Sequence, residues 1–163
     1  MGEQPGDHED REGEPFVGPA GRVLDDALDA AGIVRDEVYL TNAVKHFRFE
    51  ERPRAGGSRP VRIHKKPAVG HLRACAPWLV AELAAVSPRV VVALGATAAR
   101  QVLGREVRIG DERGRVQDDA AGGRAVLVTV HPSSLLRLRD RSGWDDAFAG
   151  FVEDLRVAVR ASR

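Results

Sequence analysis

A short basic stretch carries the residue of this chain that is best suited to chemistry. It reads RPVRIHKKP and sets His64 among four cations, Arg59, Arg62, Lys65 and Lys66. Arginine and lysine at this density suit a polyanion such as nucleic acid. Like charges disfavour protonation of the imidazole, so His64 is expected to be neutral and free to act as a base or nucleophile. Charge runs usually mark exposed surface, so a solvated loop with an incidental histidine is the alternative.

Further polar candidates follow apolar runs that read as strands. Asn42 follows VYLT, and His131 follows AVLVTV and precedes Ser133. Ligands of open parallel sheets bind at the carboxyl ends of the strands, so these side chains are expected to converge. The opening loop GEQPGDHED is of a type normally reached from a buried strand, and it adds acidic and amide candidates: Glu3, Gln4, Asp7 and Asp10.

Each candidate also has a structural interpretation. Asn42 suits a turn at a strand end, and His131 before Pro132 suits either a turn or a ligand contact. Ser133 suits a helix cap. Phe16 is typical of a core as well as of a stacking platform, and Glu3 could be a solvated loop acid. The convergence of several candidates on one sheet edge, more than any single residue, indicates a site.

The remaining pattern predicts the elements that must position these groups. Apolar spacing of three and four residues predicts helices at about 19–31, 70–86, 96–103 and 144–159. Apolar runs predict strands at 38–41, 90–94 and 125–130. Residues 106–117 read as an irregular edge excursion. Strands alternating with helices predict an α/β fold, a three-layer α/β/α sandwich around a central, mostly parallel four-stranded sheet.

Residues 45–67 form a long basic connection with a flexible tip at 55–58. Loops of this length inside compact domains are usually functional or disordered. The chain has 163 residues, of which 43% are hydrophobic and 30% charged, a balance that predicts one globular domain over 1–163. The formal net charge is only +1, so a nucleic-acid partner would have to meet a local basic face.

Composition also bounds where the protein works. No apolar run approaches the roughly 20 residues of a membrane span, and the acidic N-terminus is unlike a secretory signal. We therefore expect a cytoplasmic monomer without a membrane partner. The single cysteine, Cys75, excludes an internal disulfide, and unaided it cannot supply the four or so ligands of a metal site.

Six motifs in order resemble the uracil-DNA glycosylase superfamily, family 4 in general and its UdgX type in particular: GEQPGDHED, PFVGPAGR, LTNAVKHF, RIHKKP, LGATAA and VTVHPSSLLR. The likeness runs from Gly2 to about Arg160. The UdgX type is indicated by RIHKKP inside an enlarged loop, and by KHF where ordinary family 4 enzymes have a cysteine after the lysine. The resemblance implies an enzyme that flips uracil out of DNA, cleaves its N-glycosidic bond and stays covalently attached to the sugar through the loop histidine.

The resemblance also implies roles for the candidates. His64 would be the nucleophile, Glu3 the carboxylate beside the sugar and His131 a donor to a uracil carbonyl. Phe16 would stack on the flipped base and Asn42 would read its Watson–Crick edge. The remaining substrate-side residues would be Gln4, Ser133, Asp7 and Asp10, the last two positioning the first loop against the basic one. The phosphate contacts of the DNA, preferably single-stranded, would be Arg62, Lys65, Lys66 and Arg137.

The sequence departs from that family in two respects. Its members carry a [4Fe–4S] cluster, two ligands of which form a Cys-x-x-Cys pair upstream of the GEQPG loop. Here Cys75 matches a later ligand position and His46 stands where another ligand cysteine lies; two of four ligands should not retain a cluster. The strand that precedes Gly2 in this fold is also missing, so we expect an N-terminally truncated domain, from either a start codon placed too far downstream or a truncated gene. If the 163 residues are the whole protein, we expect poor stability, with unpaired groups at a sheet edge.

Two other functions remain open at this level. An ordinary multiple-turnover glycosylase would release uracil in excess over protein and form no adduct. A non-catalytic DNA-binding remnant of the fold would bind thymine- and uracil-containing strands equally and release no uracil.

Overall fold

The protein alternates helices and strands along the chain. A computed structural model describes residues 1–53, 56, 60–117, 123–139 and 141–163. The helices within these residues are α1 (Asp7–Glu12), α2 (Pro19–Ala31), α3 (Val69–Val86), α4 (Ala96–Leu103), α5 (Ile109–Glu112), α6 (Pro132–Leu136) and α7 (Trp144–Ala161), with a 3₁₀ turn at Arg35–Glu37. The strands are β1 (Phe49–Arg52), β2 (Val61–His64), β3 (Val90–Leu94), β4 (Val116–Gln117) and β5 (Ala125–Thr129).

A mixed sheet of three strands, in the order β3-β5-β4, lies at the centre. Strands β3 and β5 are parallel, with Val92 opposite Leu127, and β4 runs antiparallel along the other edge of β5. Both long strands are rich in valine and largely buried, as expected for strands covered on two faces. The predicted parallel pair is thus confirmed. Residues 106–117 end at the sheet edge as predicted, but they are not irregular throughout, because they contain α5 and β4.

Helices cover both faces of this sheet. Leu79 of α3 and Ala98 of α4 pack with Val91 and Val126 on one face. On the other face α2, α6 and α7 surround Leu94 in a second cluster, which includes Phe151 at zero exposure. This arrangement confirms the predicted three-layer α/β/α architecture. None of the described helices is both long and apolar enough to cross a bilayer.

The strand predicted over 38–41 is not formed within the described residues. Asn42 makes only an isolated parallel bridge with Gly2, whose N–H donates to the Thr41 carbonyl at 2.8 Å. Met1 lies on the other side of this bridge against β3, where its carbonyl accepts the Leu94 N–H at 2.9 Å. A strand needs a ladder partner along its length, and Met1 and Gly2 reach only the end of the 38–41 segment. Among the described residues the sheet therefore has three strands and a bridge instead of the predicted four strands.

An apolar groove lies between β3 and the segment 38–41. It has a volume of about 620 Å³ and is lined by Val90, Val92 and Leu40 among others. The Met1 amino group is buried at its end and donates to the Val92 carbonyl at 2.8 Å. Burial, followed by the nearby charge of Lys45, lowers the pKa of this amino group to about 5.

The basic connection is a hairpin rather than an irregular loop. Strands β1 and β2 are antiparallel, and Phe49 is opposite His64. The long basic connection predicted over 45–67 thus contains two short strands, and the side chains of this hairpin find partners in the opening loop. The predicted tip lies outside the described residues except for Gly56, as does Arg59.

Candidate active site

A pocket of about 750 Å³ opens where β3 and β5 end. Gly95 follows β3 and His131 follows β5, so both crossover loops contribute to its floor. The structure brings nine of the predicted residues to this pocket: Glu3, Gln4, Phe16, Asn42, His64, Lys66, His131, Ser133 and Arg137. Ligand sites of open α/β sheets lie at this edge.

Glu3 and His64 lie next to each other in the lining of the pocket. The Oε1 atom of Glu3 lies 3.5 Å from Nε2 of His64, and the other carboxylate oxygen accepts a hydrogen bond from the Thr97 hydroxyl. Glu3 is 21% exposed, whereas His64, at the end of β2, is 50% exposed. The 3.5 Å separation is at the limit of a hydrogen bond, so the imidazole is within reach of the carboxylate without being locked to it.

His131 is held as a neutral ring with a defined tautomer. Its Nδ1 atom accepts the backbone N–H of Ser133 at 3.2 Å and lies 2.9 Å from the Ser133 hydroxyl. A ring that accepts at Nδ1 carries its proton on Nε2 when neutral. Burial is the main cause that lowers the pKa of His131 to about 4, with smaller contributions from the N-terminus and from His64. The ring therefore offers an N–H donor at neutral pH.

Phe16 forms an apolar wall of the pocket. It is 5% exposed, and its ring is stacked against that of His131 with centroids 6.2 Å apart. Its φ of 59° is unusual for a residue with a side chain. Helix α2 packs directly on this turn, because a Cβ atom on Gly21 would lie only 1.8 Å from the Phe16 carbonyl oxygen. The close approach that glycine permits thus supports the position of Phe16.

Asn42 lies beside the first loop and is 7% exposed. Its backbone carbonyl accepts from the Lys45 ammonium at 2.8 Å, while its side chain lines the pocket. No buried side-chain nitrogen or oxygen among the described residues lacks a hydrogen-bond partner, so the polar atoms of Asn42 are either paired or reachable by solvent. The side-chain amide makes no hydrogen bond to another described residue, so it is the second case and is available to a ligand with both donor and acceptor groups.

Gln4 ties the opening loop to the hairpin. Its side-chain nitrogen donates to the carbonyls of Arg48 and Lys65 at 3.3 and 3.2 Å, and its oxygen accepts the Arg48 N–H at 3.3 Å. The amide is occupied by these backbone contacts, so Gln4 contributes to the pocket mainly by fixing where Glu3 and His64 meet.

Arg62 makes a second connection between the loop and the hairpin. Its guanidinium donates to Asp7 and, at 2.6 Å, to Asp10, and it lies 4.8 Å from the ring centroid of Phe49. Desolvation raises the pKa of the Asp7 carboxyl, but hydrogen bonds from Arg11 and Arg62 outweigh it and hold that pKa below its usual value. Arg62, Asp7 and Asp10 lie beside the pocket and do not line it.

The four predicted phosphate contacts fall into two groups. Arg62 and Lys65 are already in ion pairs, Lys65 with Glu50. Lys66 and Arg137 line the pocket, and within the described part of the chain neither has an acidic partner. These two cations are the ones that a phosphate reaches without breaking an existing pair.

The family model described as the uracil DNA glycosylase superfamily matches residues 1–156. The chain belongs to this superfamily. It is 40% identical to the type-4 uracil-DNA glycosylase of Thermotoga maritima over 140 residues. These aligned residues make up 85% of this chain and 66% of that relative.

Two further relatives within the superfamily are type-4 uracil-DNA glycosylases of Pyrobaculum aerophilum and Archaeoglobus fulgidus. They are 34% and 33% identical over 143 and 142 residues, which is 84% and 83% of this chain and 66% and 65% of the relatives. The chain therefore spans slightly less than two thirds of the length of these superfamily members.

Cys75 and His46, the two residues that the resemblance assigns to cluster positions, lie together. The Cys75 sulfur is buried and lies 3.8 Å from Nδ1 of His46, and it accepts the Lys45 N–H at 3.4 Å. Among the residues described, no group of three or more side chains is arranged to hold a metal ion. A [4Fe–4S] cluster needs four ligands, so these two do not fit it, and no chemical step is assigned to a cluster here.

Glu9 and Thr97 also line this pocket, but the sequence analysis did not identify them as site residues. Glu9 accepts the backbone N–H groups of Gly6 and Gly18 at 3.1 and 2.9 Å and so joins the first loop to the turn that carries Phe16. Thr97 holds Glu3. Both are found in the quoted motifs GEQPGDHED and LGATAA, which were the only sequence signals for them.

Proposed function

We propose that this protein is a uracil-DNA glycosylase that excises uracil from DNA and becomes covalently linked to the resulting sugar through His64. The observation that carries this proposal is the 3.5 Å approach of His64 Nε2 to Glu3 Oε1 at one wall of the pocket. A carboxylate and a ring nitrogen so close to each other can act on the same carbon atom. Membership of the superfamily supports the reaction class.

The reaction needs opposite charges at its two ends. Cleaving the N-glycosidic bond leaves positive charge on C1′ and negative charge on the departing uracil. Glu3 supplies the anion beside the sugar. His131 supplies a neutral Nε2–H donor to a uracil carbonyl oxygen, because its low pKa and its Nδ1 contacts fix that tautomer.

The base itself is held by Phe16 and Asn42, which also line the pocket. Phe16 offers an apolar ring face for stacking, and the amide of Asn42 can both accept from and donate to the Watson–Crick edge of uracil. Ser133 acts through His131, whose orientation it sets. Gln4, with Asp7 and Asp10, keeps the loop and the hairpin in register.

Capture of the sugar then follows bond cleavage. The electron pair of the C1′–N1 bond leaves with uracil, and a lone pair on a ring nitrogen of neutral His64 forms a bond to the cationic C1′. The surplus ring proton passes to Glu3 or to water. The product is an abasic sugar attached to the hairpin, and the released base is free uracil after it takes up a proton.

DNA is bound through cations at the pocket rim. Lys66 and Arg137 are the first phosphate contacts we assign, since they have no acidic partner within the described residues. Lys65 and Arg62 would have to exchange Glu50, Asp7 or Asp10 for a phosphate. Single-stranded DNA is the preferred substrate in this proposal, because its uracil is already unpaired and flipping costs less.

The proposal is tested with a labelled single-stranded oligonucleotide containing one uracil. We expect a protein–DNA band that survives SDS and heat, absent with the matched thymine oligonucleotide and lost in His64→Ser. A band that persists in His64→Ser contradicts the assignment of the nucleophile. Uracil release is measured in the same reactions, and we expect at most about one uracil per protein molecule, because each adduct consumes its own nucleophile.

A second candidate is an ordinary multiple-turnover glycosylase. The identity of 33–40% to relatives named type-4 uracil-DNA glycosylases favours it. In this case water attacks C1′, and the protein releases many uracils without an adduct. The ratio of uracil released to protein present separates the two candidates directly.

A further inference from the structure

We propose that Thr97 is a positioning residue that assigns one oxygen of Glu3 to the protein and leaves the other for His64 and the sugar. This inference rests on the proposed function. The Thr97 hydroxyl donates to Oε2 of Glu3, while Oε1 is the atom that lies 3.5 Å from His64 Nε2. Among the described residues, these two groups are the polar contacts of the Glu3 carboxylate.

Thr97 is well placed to hold a fixed geometry. It is the second residue of α4, directly after the turn at Gly95 that ends β3, and it is 6% exposed. Its helix neighbours Ala98 and Ala99 are fully buried against the sheet. A hydroxyl on so tightly packed a turn moves little, so the carboxylate that it contacts is oriented by the core of the protein.

The need for such a holder comes from the freedom of a glutamate. Its terminal torsion is broad and roughly two-fold, so an unheld carboxylate rotates easily. Rotation would bring either oxygen towards His64 and would vary the distance from negative charge to C1′. Catalytic groups lose much of their effect when misplaced by about 1 Å. Thr97 removes this freedom without adding a charge to the pocket.

A second threonine offers a matched control. Thr129 is fully buried at the end of β5, and its hydroxyl also donates to a carboxylate, that of Asp154. Asp154 is held in addition by Arg113, and neither Thr129 nor Asp154 lines the active-site pocket. Removing either hydroxyl deletes a hydrogen bond to an acid, but only one of the two acids lines the active-site pocket.

The test compares Thr97→Val and Thr97→Ser with Thr129→Val in the full chain. Single-turnover uracil release is measured at saturating uracil-containing single-stranded DNA, together with DNA affinity and the thermal midpoint. We expect Thr97→Val to slow release roughly 10- to 100-fold, the range for losing a hydrogen bond to a charged group. DNA affinity should stay within about twofold, since Thr97 is 6% exposed, carries no charge and uses its hydroxyl on Glu3. Thr97→Ser, which keeps the hydroxyl, should stay within about threefold of wild type.

Each result supports or overturns the role of Thr97. Thr129→Val should lower the thermal midpoint but leave the release rate per folded molecule unchanged. Thr97→Ala is a second variant without the hydroxyl, to be used in case Thr97→Val does not fold. We expect it to show the same loss of release rate as predicted for Thr97→Val. A wild-type rate in Thr97→Val, or equal losses in Thr97→Val and Thr97→Ser, overturns the inference and leaves the proposed function standing. Absence of uracil release by the wild-type protein overturns both.

Discussion

The neutral ring of His131 should make this protein less stable as the pH is lowered through a defined window. The unfolded chain takes up a proton on this histidine near pH 6.5, whereas in the folded protein the pKa is about 4. Between these values the unfolded state binds more protons, so the free energy of unfolding decreases as the pH decreases. Lowering the pH from 7 to 5 should remove about 2 kcal/mol, by linkage of a pKa shifted from 6.5 to about 4.

Urea unfolding of wild type and His131→Asn at pH 7 and pH 5 isolates this contribution. Other groups, including the buried Met1 amine, titrate in both proteins and cancel in the comparison. We expect wild type to lose about 2 kcal/mol more than His131→Asn between the two pH values. His8→Asn is the control, because His8 is exposed on α1 and should follow wild type. Equal pH-dependent losses in wild type and His131→Asn would refute the neutral buried ring.

Three further predictions concern the loop, the rim and the packing below Phe16. Arg62→Met should slow adduct formation roughly 10- to 100-fold in a single-turnover assay, because it releases the hairpin from the first loop. Arg11→Met, which removes an exposed ion pair, should stay within about twofold of the wild-type rate. Equal effects of the two substitutions would contradict the role of Arg62. Lys66→Ala should weaken binding of uracil and thymine oligonucleotides alike and lower the salt slope by about 0.7, and a loss confined to uracil DNA would exclude a phosphate contact. Gly21→Ala should destabilise the protein by roughly 1–3 kcal/mol in thermal unfolding, because the added Cβ meets the Phe16 carbonyl. The added Cβ of Gly70→Ala meets nothing within 4 Å, so this control should be neutral or stabilising. A neutral Gly21→Ala would contradict the close packing.

The sequence predicted best the elements whose signals are local. Helix α4 begins and ends where predicted, and α2 ends at Gly32, whose φ of 74° suits a C-terminal cap. The buried strands β3 and β5 were predicted because each is a continuous apolar run between turn residues. Convergence at their carboxyl ends followed from the rule for parallel sheets, and this is where the pocket lies.

The failures share one physical cause, which is dependence on a partner distant in sequence. The VYLT segment has the composition of a strand, but a strand exists only where another chain segment completes its hydrogen bonds. The hairpin was missed for the converse reason, because all four residues of β1 are exposed and its alignment depends on Gln4 and Arg62. Thr97 reads as an ordinary helix residue, since its partner Glu3 is 94 positions away.

The covalent role of His64 is the central claim, and mapping the attachment site tests it most directly. Wild-type protein is incubated with the uracil-containing single-stranded oligonucleotide, digested with protease and nuclease, and analysed by tandem mass spectrometry. We predict an abasic deoxyribose on the fragment containing His64, on the imidazole itself, in an amount equal to the uracil released. Attachment to any other residue, or uracil released in excess over protein with His64 unmodified, would contradict the account.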